Sequence, residues 1–226
     1  MKNLFHKGVT MKTKIISLCL SLTFFSHGLY ALQERHLIII RHGEHTLNAT
    51  REYNTNPKHS GYKVAPLTDK GRSEAKEAAE RLLTHGFDNR SIAAVYVSPL
   101  PRAVETAEIL AEIGVYAKEK IKVDKRLIET QAGNREGLNK DKYTKDSWYV
   151  GNHEAKSYGG ESSEDVRKRM TAVYDEIEKK HPEGHVVVIT HGMPAMELLD
   201  MLDQNNIRLS TGEVYVVPLA DRNQIA

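Results

Sequence analysis

Two short apolar stretches of this chain each run directly into a histidine that is followed by glycine. The first covers residues 37–40 and leads through Arg41 to His42, and the second covers residues 186–190 and leads to His191. Apolar runs of this length are typical of buried strands in a parallel sheet. Because ligands bind outside the carboxyl ends of such strands, we expect His42 and His191 to meet in one crevice, although most of the chain separates them.

Strand patterns alternate with helix patterns along the chain, which is typical of an α/β layered fold. Five strands are predicted, at His36–Arg41, Ala93–Ser98, Ile121–Val123, Val186–Thr190 and Val214–Pro218. Four helices are predicted between them, beginning near Thr68, Pro101, Ser163 and Pro194. The sequence therefore predicts a three-layer sandwich, in which helices flank a mostly parallel central sheet.

Two stretches, residues 48–65 and 131–160, are polar and lack sustained periodicity. Long irregular segments of this kind are commonly functional. Each follows a predicted element of the crevice, so we expect the two stretches to form the walls of a substrate cleft.

The first 31 residues have the composition of a secretory signal peptide. They hold four lysines and no acidic residue, and the apolar run Ile15–Phe25 is short for a membrane span. We expect cleavage after Ala31, with Met11 as a possible true start, and a periplasmic or secreted location. An uncleaved membrane anchor is the alternative. The remainder, residues 32–226, is predicted to be a single domain.

Charge and cysteine content exclude several classes of function for the mature chain. Without those four lysines, the 32 basic residues of the whole chain fall to 28, against 30 acidic residues. This slightly acidic balance does not favour binding to nucleic acid or stable attachment to a membrane. The one cysteine, Cys19, lies in the leader, so the mature chain is predicted to have no disulfide and no thiolate nucleophile.

Two arginines accompany the histidines at the predicted strand ends. Arg41 precedes His42, and Arg102 lies just after Ser98-Pro99, where the second predicted strand ends. A guanidinium group matches phosphate oxygens, and a histidine nitrogen can attack phosphorus to form a phosphohistidine. The arginines and His191, if protonated, would stabilise the transferred group without a metal or other cofactor. The residues therefore favour phosphoryl transfer to His42.

The leaving oxygen of such a reaction needs a proton, and Glu129 is the predicted donor. It follows the third predicted strand, and a partly apolar setting near other carboxylates would raise its pKa. Glu44, Glu136 and Glu161 are the alternatives. A metal site that begins with His42 and His45 is a further alternative, but it lacks a third ligand at any standard spacing.

With these residues in place, the sequence resembles the histidine phosphatase superfamily, in the branch shared with cofactor-dependent phosphoglycerate mutases. The motifs follow the family order: Arg41-His42-Gly43-Glu44 with Asn48, Pro66-Leu67-Thr68 with Lys70-Gly71, Ser98-Pro99-Leu100 with Arg102-Ala103, Glu129, Gly160-Glu161-Ser162, and His191-Gly192. The resemblance implies that His42 is the phosphorylated nucleophile and that Glu129 donates the proton. It also implies that the phosphate-binding residues are Arg41, Asn48, Arg102 and His191. Thr211-Gly212 resembles the segment that closes the site.

Departures from the mutase pattern favour hydrolysis. In the mutases, the proton-donor glutamate precedes an arginine and a tyrosine that grip phosphoglycerate, and an Arg-Arg segment follows. Here Thr130, Gln131 and Ala132 take those places, and no Arg-Arg pair occurs before Gly160. The resemblance therefore implies a metal-independent phosphomonoester hydrolase with a small phosphorylated substrate. A mutase-type phosphotransferase and a catalytically inactive protein that binds phosphorylated ligands are the alternatives.

Overall fold

The computed structural model describes residues 34–142 and 152–219. The predicted signal peptide lies outside these residues, so it stays a prediction together with the domain boundary at residue 32. Within the described ranges, no helix is both long enough and apolar enough to cross a membrane.

Five strands form one sheet at the centre of the molecule. They are β1 (Arg35–Arg41), β2 (Ile92–Val97), β3 (Ile121–Val123), β4 (His185–Thr190) and β5 (Val214–Leu219). Their order across the sheet is β3-β2-β4-β1-β5. Neighbouring strands are parallel except at the edge, where β5 runs antiparallel to β1. The predicted strands and the mostly parallel sheet are confirmed.

The structure contains five α-helices in its described ranges: α1 (Asp69–Thr84), α2 (Pro101–Ile113), α3 (Asn152–Ser157), α4 (Ser163–Lys180) and α5 (Gly192–Met201). Short 3₁₀ turns lie at Lys118–Lys120, Lys125–Leu127, Gly133–Arg135 and Lys140–Lys142. The four predicted helices are present. The short helix α3 was not predicted, because six residues are too few to show helical periodicity.

Side-chain hydrogen bonds fix where two of these helices begin. Thr68 caps α1 by accepting a bond from the backbone N–H of Gly71. Ser162 and Asp165 form a reciprocal capping box at the start of α4. Such caps satisfy backbone N–H groups that have no partner within the helix.

The core has two halves, one on each face of the sheet. Leu37 and Ile39 of β1 pack with residues of α4 and α5, whereas Ile38 and Ile40 pack with residues of α1 and α2. Successive side chains of a strand point to opposite faces, so β1 is buried on both sides. The predicted three-layer α/β sandwich is therefore confirmed.

The carboxyl ends of the parallel strands are held together at one edge of the sheet. The N–H of His42 donates to the carbonyl of Thr190 at 3.1 Å, and the N–H of Ser98 donates to the carbonyl of Ile189 at 3.0 Å. The residues that follow β1, β2 and β4 are thereby brought to the same place, as the topology requires.

Candidate active site

A cavity of about 100 Å³ lies at this edge of the sheet. Five predicted site residues line it: Arg41, His42, Asn48, Arg102 and Glu129. The sixth, His191, is fully buried, with its ring centroid 4.9 Å from that of His42. The structure thus gathers every predicted site residue at the cavity, and their chemical roles stay predictions.

The hydrogen bonds of His42 define which ring nitrogen is available for chemistry. Its Nδ1 lies 2.7 Å from the carbonyl oxygen of Gly43. A carbonyl only accepts, so the proton is on Nδ1. The Nε of Arg102 donates to Nε2 of His42 at 3.1 Å, which requires a lone pair on Nε2. His42 therefore presents an unprotonated Nε2, which is the form that a nucleophile needs.

Burial and positive neighbours keep His42 neutral. Burial is the largest cause that lowers its pKa well below the ordinary value, and Arg102, His45 and Arg41 lower it further. The bond to Gly43 opposes these effects. The imidazole therefore keeps its Nε2 lone pair under mildly acidic as well as neutral conditions.

Arg102 is held rigidly beside the nucleophile at the start of α2. Besides its Nε contact, its Nη1 donates to Oδ1 of Asn54 at 3.1 Å, and its Nη2 donates to the carbonyl of Asn54 at 3.0 Å. Burial lowers the pKa of Arg102 to about 10, although attraction from Glu129 opposes this change. The guanidinium is therefore still charged at neutral pH, and two of its N–H bonds remain for an anion.

Two buried nitrogen atoms beside the cavity lack a hydrogen-bond partner within the described residues: Nε of Arg41 and Nδ1 of His191. The Nη1 of Arg41 is fixed by the carbonyl of Leu209 at 2.8 Å. The Ser98 hydroxyl lies 2.6 Å from Nε2 of His191 and accepts from the N–H of Leu100, which favours the proton of His191 on Nδ1. Buried donors without partners are rare, and an anion between them would satisfy both.

Burial, followed by Arg102 and His42, lowers the pKa of His191 well below its ordinary value. His191 is therefore neutral when no anion is bound. A bound phosphoryl group would favour the charged imidazolium and raise that pKa.

Asn48 and His45 form the wall that follows the nucleophile. Oδ1 of Asn48 accepts from the N–H of His45 at 2.8 Å, so its amide NH₂ is the end left for a ligand. Nδ1 of His45 accepts from the N–H of Leu47 at 3.3 Å, so its proton is on Nε2. Burial is the first of the causes that lower the pKa of His45 to about 3. His45 is thus a neutral residue of the cavity wall, for which the sequence suggested only a role in a metal site.

The structure separates the candidate proton donors by position. Among the described glutamates, Glu129 and Glu52 line the cavity. The three alternatives named from the sequence are engaged elsewhere: Glu44 pairs with Lys70, Glu136 accepts from Thr55, and Glu161 pairs with Arg169. Glu129 also lies near Lys140, where burial lowers the lysine pKa and attraction from Glu129 opposes that change.

Residues that the sequence did not single out complete the cavity. Asn54 reaches it from the first irregular stretch, and Lys140 from the second. The other wall is apolar and is formed by Met193, Met196 and Leu209.

The Thr211-Gly212 segment lies behind the nucleophile and is not among the residues that line the cavity. The N–H of Gly212 donates to the carbonyls of Arg41 and His42, each at 3.1 Å. It therefore holds the end of β1 in place rather than closing the cavity.

The described part of the chain contains no group of three or more histidine, cysteine, aspartate or glutamate side chains placed to hold a metal ion. The alternative metal site at His42 and His45 thus gains no third ligand from these residues. In addition, both histidines have one ring nitrogen engaged with backbone atoms.

Known proteins are similar to this chain in sequence and in fold. The sequence profile of the histidine phosphatase superfamily (branch 1) matches residues 37–217. The chain is 32% identical over 166 residues to phosphoserine phosphatase 1 of Hydrogenobacter thermophilus, covering 70% of this chain and 71% of that protein. It is 32% identical over 180 residues to the 2,3-bisphosphoglycerate-dependent phosphoglycerate mutase of Brucella ovis, covering 75% of this chain and 82% of that protein.

Two further comparisons agree. Phosphoglycerate mutase-like protein 4 of Arabidopsis thaliana is 32% identical over 163 residues, which cover 69% of this chain and 66% of that protein. The solved structure of Bacillus stearothermophilus YhfR superposes with a TM-score of 0.68 at 25% identity, covering 82% of this chain and 92% of the other. The similar proteins thus include both a phosphatase and mutases by name.

Proposed function

Because this chain belongs to the histidine phosphatase superfamily (branch 1), we propose that it hydrolyses phosphomonoesters through a phosphohistidine intermediate on His42. One observation carries the proposal: the unprotonated Nε2 of His42 lies in the same site as two buried nitrogen atoms, Nε of Arg41 and Nδ1 of His191, that have no hydrogen-bond partner among the described residues. A nucleophile and a preformed anion site at the same point are what phosphoryl transfer requires.

The reaction takes place in two displacements. In the first, the Nε–H of Arg102 turns from Nε2 of His42 to a phosphoryl oxygen, the freed Nε2 lone pair attacks phosphorus, the bond to the leaving oxygen breaks, and Glu129 gives that oxygen a proton. In the second, water attacks phosphorus and returns a proton to Glu129, the P–N bond breaks, and phosphate leaves. Through both steps Nδ1–H keeps its bond to the Gly43 carbonyl, which favours the positive charge that develops on the ring.

The transferred group is held by Arg41, Arg102, His191 and the amide of Asn48. Their donors face equatorial oxygens, whose negative charge they stabilise at fixed positions. The substrate is a small phosphorylated molecule, and its leaving group extends toward the wall formed by Met193, Met196 and Leu209.

Hydrolysis, rather than transfer back to a phosphoglycerate, is supported by the residues after Glu129. Nε2 of Gln131 donates to the Thr55 carbonyl, the N–H of Ala132 donates to the Thr55 hydroxyl, and neither residue lines the cavity. Because these residues do not hold the dephosphorylated product, it leaves and water takes its place. The mutase alternative is supported by the Brucella ovis relative, and it would show itself as activity that depends on a bisphosphate primer.

We also propose that residues 1–31 are a signal peptide and that the enzyme acts in the periplasm or outside the cell. The composition of those residues supports this proposal. The mass of the chain recovered from the cell envelope tests it, because cleavage after Ala31 leaves Leu32 as the first residue.

The mechanism is tested by mass spectrometry of the intact enzyme, mixed rapidly with para-nitrophenyl phosphate and quenched at alkaline pH. We expect an adduct of about 80 Da on the parent that is absent from His42→Ala, and phosphate release that survives EDTA. His85→Ala, which removes an exposed histidine at the end of α1, is the matched control and keeps the adduct. An enzyme that releases no phosphate, or forms the adduct without His42, would refute the mechanism.

A further inference from the structure

Glu136 is a buried carboxylate that does not line the cavity, and its side chain is only 3% exposed. Both of its oxygens accept hydrogen bonds from one short segment of the first irregular stretch. Oε1 accepts from the N–H groups of Thr55 and Asn56 at 2.6 and 3.1 Å, and Oε2 accepts from the Thr55 hydroxyl at 2.7 Å. Burying a carboxylate is costly, and charge-assisted bonds of this number offset that cost.

The residue that precedes these donors is Asn54, which holds Arg102. Asn54 is itself 3% exposed, and its side-chain NH₂ donates to the carbonyl of Lys63 at 2.7 Å. Its two oxygens accept from Nη1 and Nη2 of Arg102. The 54–56 segment therefore has Glu136 bound on one side and the phosphate-binding arginine on the other.

Arg102 in turn sets the environment of the nucleophile. With both Nη groups fixed on Asn54, the third donor, Nε, points at Nε2 of His42 at 3.1 Å. A shift of the 54–56 segment would rotate the guanidinium plane and move all of these donors together.

We propose that Glu136 is a positioning residue for the reaction: by fixing the backbone at Thr55 and Asn56, it orients Asn54 and through it the Arg102 guanidinium that binds phosphate and faces His42. This inference rests on the proposed function, because it assumes that His42 reacts with a phosphoryl group. The hydrogen bonds that link Glu136 to Arg102 can be tested without any reaction. Glu136 touches neither the nucleophile nor the space for the phosphoryl group.

Charge supports the same assignment. Burial is the main cause that lowers the pKa of Arg102, and the Glu136 carboxylate, after Glu129 and Tyr62, is among the groups that oppose this change. Glu136 thus helps to keep a buried guanidinium charged while leaving its N–H groups free of direct pairing with a carboxylate. A direct ion pair would have used donors that phosphate needs.

The test compares Glu136→Ala, which removes all three bonds, with Glu136→Gln, which keeps the shape but not the charge, and with Asn54→Ala. Glu178→Gln is the matched control: the side chain of this glutamate is also buried and accepts a bond from Nη2 of Arg35 at 3.0 Å, at the end of the sheet opposite the cavity. Urea unfolding selects the variants that remain folded, and the remaining measurements are made on those.

Two readouts are independent of catalysis. Calorimetry gives the Kd of inorganic phosphate, and ¹⁵N NMR gives the protonation of His42 between pH 8 and 5.5. The charged and titratable groups around His42 are Arg102, His45, Arg41 and His191, together with Glu52, Glu129 and Lys140 of the cavity lining. Of these groups, we expect only Arg102 to change position in the Glu136 variants.

We expect Glu136→Ala to raise the phosphate Kd about tenfold, Glu136→Gln to give a smaller rise, and Asn54→Ala to match Glu136→Ala. In these variants His42 gains its second proton at a higher pH than in the parent and in Glu178→Gln, because Arg102 is one of the groups that lower its pKa. The proposal is overturned if the folded Glu136 variants bind phosphate as the parent does and leave the titration of His42 unchanged, or if Glu178→Gln has the same effect. A parent that forms no phosphohistidine would instead remove the proposed function, and the spectra of His42 would still decide the role of Glu136.

Discussion

Two carboxylates line the cavity, and their local surroundings give them different capacities. Oε2 of Glu52 lies 2.6 Å from Nζ of Lys63, so that carboxylate is already paired with a cation. Oε1 of Glu129 accepts from the N–H of Thr130 at 2.8 Å, which leaves its second oxygen available to a leaving group. At the scale of residues, Glu129 is therefore the better candidate for the proton donor of the proposed reaction.

Substrates with different leaving groups distinguish the roles of Glu129 and Glu52. We expect Glu129→Gln to lower kcat/KM for an alkyl phosphate by about 10²–10⁴, since an alkoxide needs a proton to leave. For para-nitrophenyl phosphate the loss is much smaller, because nitrophenolate leaves without one. Steady-state kinetics on the two substrates measures the difference, with Glu52→Gln as the matched control. Equal losses on both substrates would assign Glu129 a role other than proton donation.

At the scale of elements, the loop after β1 and the start of α1 touch through their backbones. A Cβ on Gly71 would lie 2.0 Å from the carbonyl oxygen of Glu44, and a Cβ on Gly43 would lie 2.3 Å from the carbonyl oxygen of Gly71. The N–H of Thr68 also donates to the Glu44 carbonyl at 2.9 Å. The loop that follows β1 thus packs directly against the start of α1 through backbone atoms. Gly43 and Gly71 have no flexible side chain that could move aside.

This contact reverses the usual effect of replacing glycine in a helix. Helix propensity alone predicts that Gly71→Ala stabilises the protein by about 1 kcal/mol. Because the new methyl group meets backbone rather than a flexible side chain, we expect the free energy of unfolding to fall by about 2 kcal/mol. Urea unfolding measures it, with the exposed Ser73→Ala in the same helix as control. A stabilised Gly71→Ala would show that the loop can move away at little cost.

The elements and the convergence of the site could be predicted because both depend on local patterns. The short continuous apolar runs predict β1 and β4, and the rule for strand ends then brings His42 and His191 together. Arg102 could be placed for the same reason, since it follows β2 closely.

The support around those residues could not be predicted, because it depends on contacts between irregular stretches. Asn54 is 48 positions from Arg102, and Thr55 is 81 positions from Glu136. No periodicity marks such partners, which are set by how the two loops pack. From the sequence, Glu136 could therefore be named only as an alternative proton donor.

At the scale of the whole molecule, histidines with lowered pKa values lie at both ends of the sheet; most of them are buried, and His181 is half-buried. His42, His45 and His191 lie at the cavity, and burial is the leading cause that lowers the pKa of each. At the opposite end, His181 and His185 have pKa values lowered mainly by burial as well. The unfolded chain, in which these groups titrate near pH 6.5, therefore binds more protons than the folded one in mild acid.

Stability is therefore expected to fall as the pH drops below about 6.5. The three cavity histidines alone would reduce the free energy of unfolding by about 4 kcal/mol between pH 7.5 and 5.5. Urea unfolding at the two pH values measures this change. We expect His191→Gln to remove about one third of that 4 kcal/mol, because His191 is one of the three cavity histidines, with His85→Gln at an exposed position as the control. A free energy of unfolding that does not depend on pH in this range would contradict these neutral assignments.

The position of β1 also has a consequence for how the chain acquires its structure. Its two neighbours in the sheet, β4 and β5, are both drawn from the last fifth of the sequence. The strand that leads to His42 is therefore made before either of its partners and cannot pair until β4 has been synthesised. Closing such a large loop is slow and entropically costly. A nascent or truncated chain that ends before β4 thus holds His42 without His191 and without the neighbouring strands of β1, so the site is complete only once β4 and β5 have been translated.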